Sequence, residues 1–346
     1  MRKFFPALAL VIWLAFLNPV QAEEARPRII SLYAAHTEVL LRLGARDHII
    51  GVSEQETYQG PETDGWKPKT FSIRDDVEKF LAAKPDLILA RPMHRAAGSR
   101  LVEMLENSGI KVITRQVVQA GDLYDYWREL AKLVGREAEA ERMIIDFDNQ
   151  VSAYYEAASK RPEKDRPGVF LEAIHSQVKT FTPESLPVWL VELAGGRNVA
   201  ADARPHSPGL IVADYGLERL LAKTRQVDIF ISQNGRMNPA SIKQVRSRGV
   251  YKPIKAFKEG RVYSIPEEII ARPTPSLLLG LEKIAGWTGL NPAASGDQPE
   301  EPTGAPENKT DAAEQSVSPD QNEEEASPLE AGNSTKETMV ELPPAR

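Results

Sequence analysis

Cysteine is absent from the sequence, which excludes disulfide frameworks, thiolate zinc sites, cysteine-ligated iron–sulfur clusters, cysteine nucleophiles and lipids carried on cysteine. Histidine is scarce, at 5 residues, so any imidazole chemistry draws on few side chains. An excess of basic charge is also lacking. The 43 Lys and Arg against 49 Asp and Glu give a net charge of −6, which argues against nucleic acid as a partner because phosphate binding needs a basic surface. The apolar run Phe4–Leu17 is interrupted by Pro6 and falls short of the ~20 residues that span a bilayer. What is present is ordinary for a folded chain: 346 residues, 42% hydrophobic and 27% charged, enough for two domains or one large one.

The two ends differ from the middle. Residues 1–22 combine a basic start at Arg2 and Lys3, the apolar run, and small residues around Val20-Gln21-Ala22, the three-part pattern of a cleavable signal peptide. Residues 291–346 hold no aromatic residue, eight prolines, and 13 acidic residues against three basic ones, a composition expected to be disordered. Between them, residues 23–290 carry 38 basic and 36 acidic residues, so the acidity belongs to the tail.

Apolar periodicity in this middle region alternates strands with helices. The first half reads strand Arg28–Tyr33, helix Thr37–Leu43 stopped by Gly44, strand Asp47–Val52, helix Asp76–Ala83, strand Asp86–Ala90, helix Gly98–Asn107 and strand Lys111–Thr114. The second reads strand Val169–Ile174, helix Glu184–Ala194, helix Leu217–Lys223, strand Val227–Ile231, helix Pro239–Arg246, strand Val262–Ile265 and helix Ser276–Trp287. Val77-Glu78-Lys79-Phe80-Leu81-Ala82 resembles Leu217-Glu218-Arg219-Leu220-Leu221-Ala222, each leading into a strand. The order predicts an α/β protein of two doubly wound lobes with mainly parallel sheets. The expected lobes are 23–135 and 161–290. The stretch 136–160 reads as one helix with Ile144, Phe147, Val151, Tyr154, Tyr155 and Ala158 on one face, long enough to join the lobes.

Ligands in open parallel sheets bind beyond the carboxyl ends of the strands, which turns the strand map into a list of candidates. Tyr33 and His36 follow the first strand; Arg91, His94 and Arg95 follow Asp86–Ala90; His175 follows Val169–Ile174; Arg204 and His206 lie in loop 201–209. Gln233 follows another strand, and Arg74, Arg272 and Tyr58 lie in loops. Guanidinium forks suit carboxylate or phosphate oxygens, and flat phenols suit a large ligand. His36, His94, His175 and His206 are candidate metal ligands, although none forms a locally spaced pair such as His-x-x-x-His. Glu172 or Asp202 would complete such a shell. Catalysis finds little support. Ser31, Ser53 and Ser176 lack a nucleophile-elbow pattern, and Gly195-Gly196 is not followed by the Lys of a phosphate loop.

The blocks Arg28-Ile29-Ile30-Ser31-Leu32, Thr37-Glu38, Leu43-Gly44, Asp47 and Ile49-Ile50-Gly51-Val52 resemble the opening of the periplasmic substrate-binding proteins that serve ABC importers of cobalamin, ferric siderophores and haem. The resemblance continues through Glu78, Leu81, Lys84-Pro85-Asp86-Leu87-Ile88 and Phe257-Lys258-Glu259-Gly260-Arg261-Val262-Tyr263, over roughly residues 28–288. It implies two α/β lobes joined by a long helix, a metal chelate (ferric siderophore, haem or corrinoid) held between them as transported ligand, no cofactor, no enzymatic activity, and delivery to a transmembrane permease. The signal pattern and the absence of a cysteine to lipidate lead to the expectation of a protein free in the periplasm and not lipidated, expected to be a monomer. Two departures stand out. Tyr33-Ala34-Ala35-His36 replaces the small Ser-Pro-Ser loop of many relatives. The stretches Pro92–Arg100 and Gln233–Asn238, near which relatives carry a permease-docking acid, hold none, leaving Glu78, Glu103 and Glu218 as substitutes. Two other readings stay open: capture of a bare divalent cation, and an enzyme that processes a tetrapyrrole.

Overall fold

The computed structural model describes residues 26–95, 100–205, 207 and 209–292. The expected signal peptide, the tail from residue 293 onward and His206 lie outside the described residues.

The first lobe runs β1 (Ile29–Ser31), α1 (Ala34–Arg42), β2 (Ile49–Ser53), β3 (Lys69–Phe71), α2 (Val77–Ala83), β4 (Leu87–Ala90), α3 (Arg100–Asn107) and β5 (Lys111–Thr114). Its sheet has the order β3-β2-β1-β4-β5 with every pairing parallel. The strand order reverses between β1 and β4, which opens a crevice at their carboxyl ends. The Lys84-Pro85-Asp86 block has a local physical purpose. Lys84 ends α2 in the left-handed region (φ 49), Pro85 cannot continue the helix, and Asp86 Oδ2 accepts the Arg28 backbone N–H at 2.8 Å. The Arg28 guanidinium donates to the Lys84 and Ala83 carbonyls, so the end of α2 is fastened to the start of β1.

Helices α4 (Leu123–Lys132) and α5 (Glu137–Ser159) follow. At 23 residues α5 is about 34 Å long. It buries Ala140, Ile144, Phe147, Val151, Ala157 and Ala158, and the Phe147 ring meets Trp127 of α4 edge-on at 5.0 Å. Tyr155, expected on this buried face, instead turns outward and is 64% exposed. The straight helix drifts from a strict repeat over its length, and Ala157 and Ala158 take the core side at its end.

The second lobe runs β6 (Gly168–Ile174), β7 (Lys179–Phe181), α6 (Leu186–Leu193), β8 (Arg197–Asn198), β9 (Arg204–Pro205), β10 (Val212–Asp214), α7 (Leu217–Ala222), β11 (Ile229–Asn234), α8 (Ile242–Ser247), α9 (Lys255–Lys258), β12 (Val262–Pro266) and α10 (Leu277–Thr288). Its sheet has the order β12-β11-β6-β7-β10-β9, with β8 beside β6. β12, β11, β6 and β8 are parallel, whereas β7, β10 and β9 add an antiparallel edge absent from the sequence reading. These strands have two or three residues each, too few to show a period of two. The internal similarity has a structural counterpart: Asp228 Oδ2 accepts the Gly168 N–H at 2.7 Å, as Asp86 accepts that of Arg28.

One apolar cluster joins Ile29, Leu40 and Leu89 of the first lobe, Ile144 and Phe147 of α5, and Leu171, Ile231 and Leu281 of the second. Polar ties reinforce it at one segment of the second lobe. Arg272 donates to Thr57 Oγ1 at 2.6 Å, Trp127 Nε1 to the Pro273 carbonyl at 2.9 Å, and Ser276 Oγ to Glu38 Oε1 at 2.5 Å. Segment 272–276 is thereby held against the first lobe.

Candidate functional site

Between the lobes, the carboxyl ends of β1, β2, β4 and β5 face those of β11 and β12 across a cavity of about 360 Å³. Its walls carry three guanidinium groups (Arg91, Arg236, Arg272) and four carboxylates (Glu54, Glu56, Glu267, Glu268), with Tyr33, His94, Gln116, Phe181, Gln233 and Met237 among them. A site with both signs of charge and few apolar rings suits an oxygen-rich, charged ligand.

On the first lobe, β1 and β4 deliver Tyr33 and Arg91 to the point where the strand order reverses. Tyr33 sits at the N-cap of α1. The Arg91 guanidinium lies over its ring at 4.8 Å and donates through Nε to Gln116 Oε1 at 3.2 Å. Burial pushes the Tyr33 phenol up, with Arg91 and Arg272 opposing it, so it is a neutral hydroxyl. Pro92 opens a short 3₁₀ turn that folds His94 back, and His94 Nδ1 accepts the Arg91 backbone N–H at 3.3 Å. That bond needs a lone pair on Nδ1, so the proton of the neutral ring is on Nε2. Burial, then Arg91, lowers this imidazole to about 4.

On the second lobe, Gln233 is fully buried at the end of β11. Its Nε2 donates to the Ala173 carbonyl at 3.0 Å, which fixes the amide orientation, and Oε1 has no hydrogen-bond partner among the described residues. Glu56 Oε2 and Arg272 Nε are also buried without partners among the described residues, so three cavity-lining residues have unmet hydrogen-bonding capacity there. A buried network lies behind this wall. The fully buried Glu172 accepts from Ser232 Oγ at 2.7 Å, Tyr251 OH at 2.9 Å and His175 Nδ1 at 3.0 Å. Arg248 donates to the His175 carbonyl, and Asn238 donates to the Gln233 carbonyl at 2.7 Å.

The structure brings together Tyr33, Arg91, His94, Gln233 and Arg272 of the expected set. It separates the others. His36 was expected in a loop, but α1 begins at Ala34 and carries His36 into the interior, where it meets Tyr126 at 5.8 Å and bonds the Arg115 carbonyl at 3.2 Å. Burial lowers its imidazole to about 3. His175 points into the Glu172 network and does not line the cavity. Arg95 forms a two-point ion pair with Glu106. Arg204 is exposed on the edge strand β9 and bonds the Ala203 carbonyl, while Asp202 pairs with Arg219 and Lys223. Tyr58 donates to Glu62 at 2.6 Å, and Arg74 is exposed outside the cavity lining. Glu78, Glu103 and Glu218 are exposed in the first turns of α2, α3 and α7. Among the described residues no three His, Asp or Glu side chains are grouped to hold a metal ion.

Glu54, Glu56, Gln116, Arg236, Met237, Glu267 and Glu268 escaped the sequence reading. The signal was available, since these residues follow β2, β5, β11 and β12, and the strand-end rule covers those loops equally.

Comparison with known proteins adds three findings. The model of the family described as "Periplasmic binding protein" matches residues 29–269. The chain is 24% identical over 268 residues to the uncharacterized ABC transporter substrate-binding lipoprotein YvrC of Bacillus subtilis (strain 168), covering 77% of this chain and 81% of that one, and 25% identical over 262 residues to a vitamin B12-binding protein of Vibrio vulnificus (strain YJ016), covering 74% and 88%. It superimposes on the crystal structure of a possible iron-binding, periplasmic solute-binding protein from Staphylococcus epidermidis with a TM-score of 0.63, at 25% identity, over 76% of this chain and 98% of that one.

Proposed function

Because this chain belongs to the periplasmic binding protein family, we propose that it captures a metal chelate between its two lobes and delivers it to an ABC-type permease. The observation that carries this reading is the inter-lobe cavity, where Arg91, Arg236 and Arg272 stand beside polar atoms of Gln233, Glu56 and Arg272 that lack partners among the described residues. Guanidinium groups hold the anionic oxygens of a chelate, and Tyr33, His94 Nε2 and Gln233 orient it. Binding is the whole activity. The relatives named for vitamin B12 and for iron set the range of cargoes to try. The cavity's volume is near the lower end of the ~300–1,000 Å³ common for small-molecule sites, which favours the more compact chelates. A bare divalent cation is less well served, because His94 presents a proton and His36 and His175 are turned away. We place the protein free in the periplasm, since the sequence holds no cysteine through which a lipid could be attached. Among the described residues no helix is long and apolar enough to cross a membrane.

Isothermal titration of the full chain with ferric siderophores, haem, cyanocobalamin and bare divalent cations tests the reading. The expected result is saturable 1:1 binding of one chelate, weakened at least tenfold by Arg91→Ala with the melting temperature little changed. Binding of none of the chelates, or of bare cations alone, would overturn it.

A further inference from the structure

A larger hollow lies far from the cleft. β8 pairs with the first residues of β6, Gly168 opposite Arg197, which puts this hollow at the amino end of the second sheet, whereas the cleft is at the carboxyl end. It measures about 520 Å³ and is bounded by the last turns of α5, by α6 and by β8.

Its polar groups are underused. Arg197 is half-buried, and its guanidinium has no hydrogen bond or ion pair among the described residues. Asn198 is 8% exposed; its Oδ1 accepts the Ala200 N–H at 2.9 Å, which fixes the amide and leaves Nδ2 buried without a partner among the described residues. The Glu192 carboxylate, on a residue exposed to solvent, is equally without a hydrogen bond or ion pair among the described residues. Arg166 itself is committed to the Ala158 and Arg161 carbonyls. Beside these groups stand two aromatic side chains, Trp189, half-buried, and Tyr155, 64% exposed.

Each simple class of ligand leaves something unmet. An apolar molecule leaves the Asn198 donor buried and unpaired. An anion satisfies Arg197 and Asn198 but lies beside the Glu192 carboxylate, and a cation does the reverse. A molecule with a carboxylate, an ammonium and a flat apolar body answers all three polar groups and both rings. We infer that the hollow between α5, α6 and β8 is a second binding site, and that it takes an aromatic α-amino acid or a compound of the same zwitterionic, flat-bodied chemistry. The site is independent of the chelate reading. Because Tyr155 and Ala158 belong to α5, its occupant rests on the helix that joins the lobes.

The test is isothermal titration of the full chain with L-phenylalanine, and with phenylacetate and 2-phenylethylamine, which each carry one of its charges. L-Phenylalanine is expected to bind 1:1 with a dissociation constant of about 1 mM or below, and each half-ligand at least tenfold more weakly. Arg197→Ala should weaken L-phenylalanine binding at least tenfold, and the surface change Tyr155→Ala should weaken it without moving the melting temperature, which keeps the test valid should Arg197→Ala fold poorly. Arg91→Ala, in the cleft, should leave it unchanged. No saturation by roughly 10 mM, equal binding of phenylacetate, or loss on Arg91→Ala instead of Tyr155→Ala would overturn the assignment.

Discussion

Replacing Gln233 with methionine separates a ligand-binding role from a structural one. Methionine keeps the length and approximate volume of the side chain while removing both polar atoms. In the free protein two effects oppose each other. The buried Oε1 has no partner among the described residues, and removing it relieves a desolvation penalty of ~1–3 kcal/mol. The Nε2 bond to the Ala173 carbonyl is lost as well, leaving that carbonyl unpaired at a cost of similar size, ~1–3 kcal/mol. The net change in stability is therefore close to zero, within ~1 kcal/mol. Binding has no such offset. A ligand donor that reaches Oε1 satisfies an acceptor already stripped of water, and losing that bond costs ~1–3 kcal/mol, about 5- to 150-fold in affinity. Paired measurements on wild type and Gln233→Met, a thermal melt without ligand and a calorimetric titration with the cargo, decide the matter. A melting temperature several degrees lower with unchanged affinity would refute the argument and make Gln233 a purely structural amide.

Two further predictions concern the scaffold. A Cβ at Gly280 of α10 would lie 2.1 Å from the Ile269 carbonyl oxygen and 3.0 Å from Ile270 Cγ2. Gly280→Ala should cost ~1–3 kcal/mol through overpacking, partly offset by ~1 kcal/mol of helix propensity. Because Ile269 and Ile270 lead directly to Arg272, chelate binding should weaken with it, read by a melt and a titration. The second concerns acid. His36 is held at about 3 against an ordinary 6.5, so the unfolded chain takes up this proton at a higher pH than the folded one. Its contribution is complete above pH 6.5 and is lost as pH falls towards 3, at about 1.4 kcal/mol per pH unit. His36→Gln, which keeps a donor for the Arg115 carbonyl, should flatten urea-midpoint profiles between pH 6 and 4 by about one proton. A profile that stays as steep would show that other groups set the acid limit.

Local chemistry along the chain was enough to locate β1, β2, β4, β5, β6, β11 and β12, but not the short parallel strands β3 and β8. The alternation of strand and helix is written over a few residues at a time, so its meaning survives without knowledge of the rest of the chain. The edge strands β7, β9 and β10 were not legible, because two or three residues carry no period and their pairing depends on partners supplied by the fold. The histidines show the same division. Position after a strand marked His36, His94 and His175 alike, but only His94 reaches the cavity, since α1 begins three residues earlier than expected and carries His36 into the interior while Glu172 holds His175. The sequence by itself determined the fold class and the end of the sheets at which the inter-lobe cavity opens. Tertiary structure decided which side chains meet there: Arg272 touches Thr57 across 215 residues of chain, and Gln233 joins Arg91 and Tyr33 because two sheets are packed on one core and one helix.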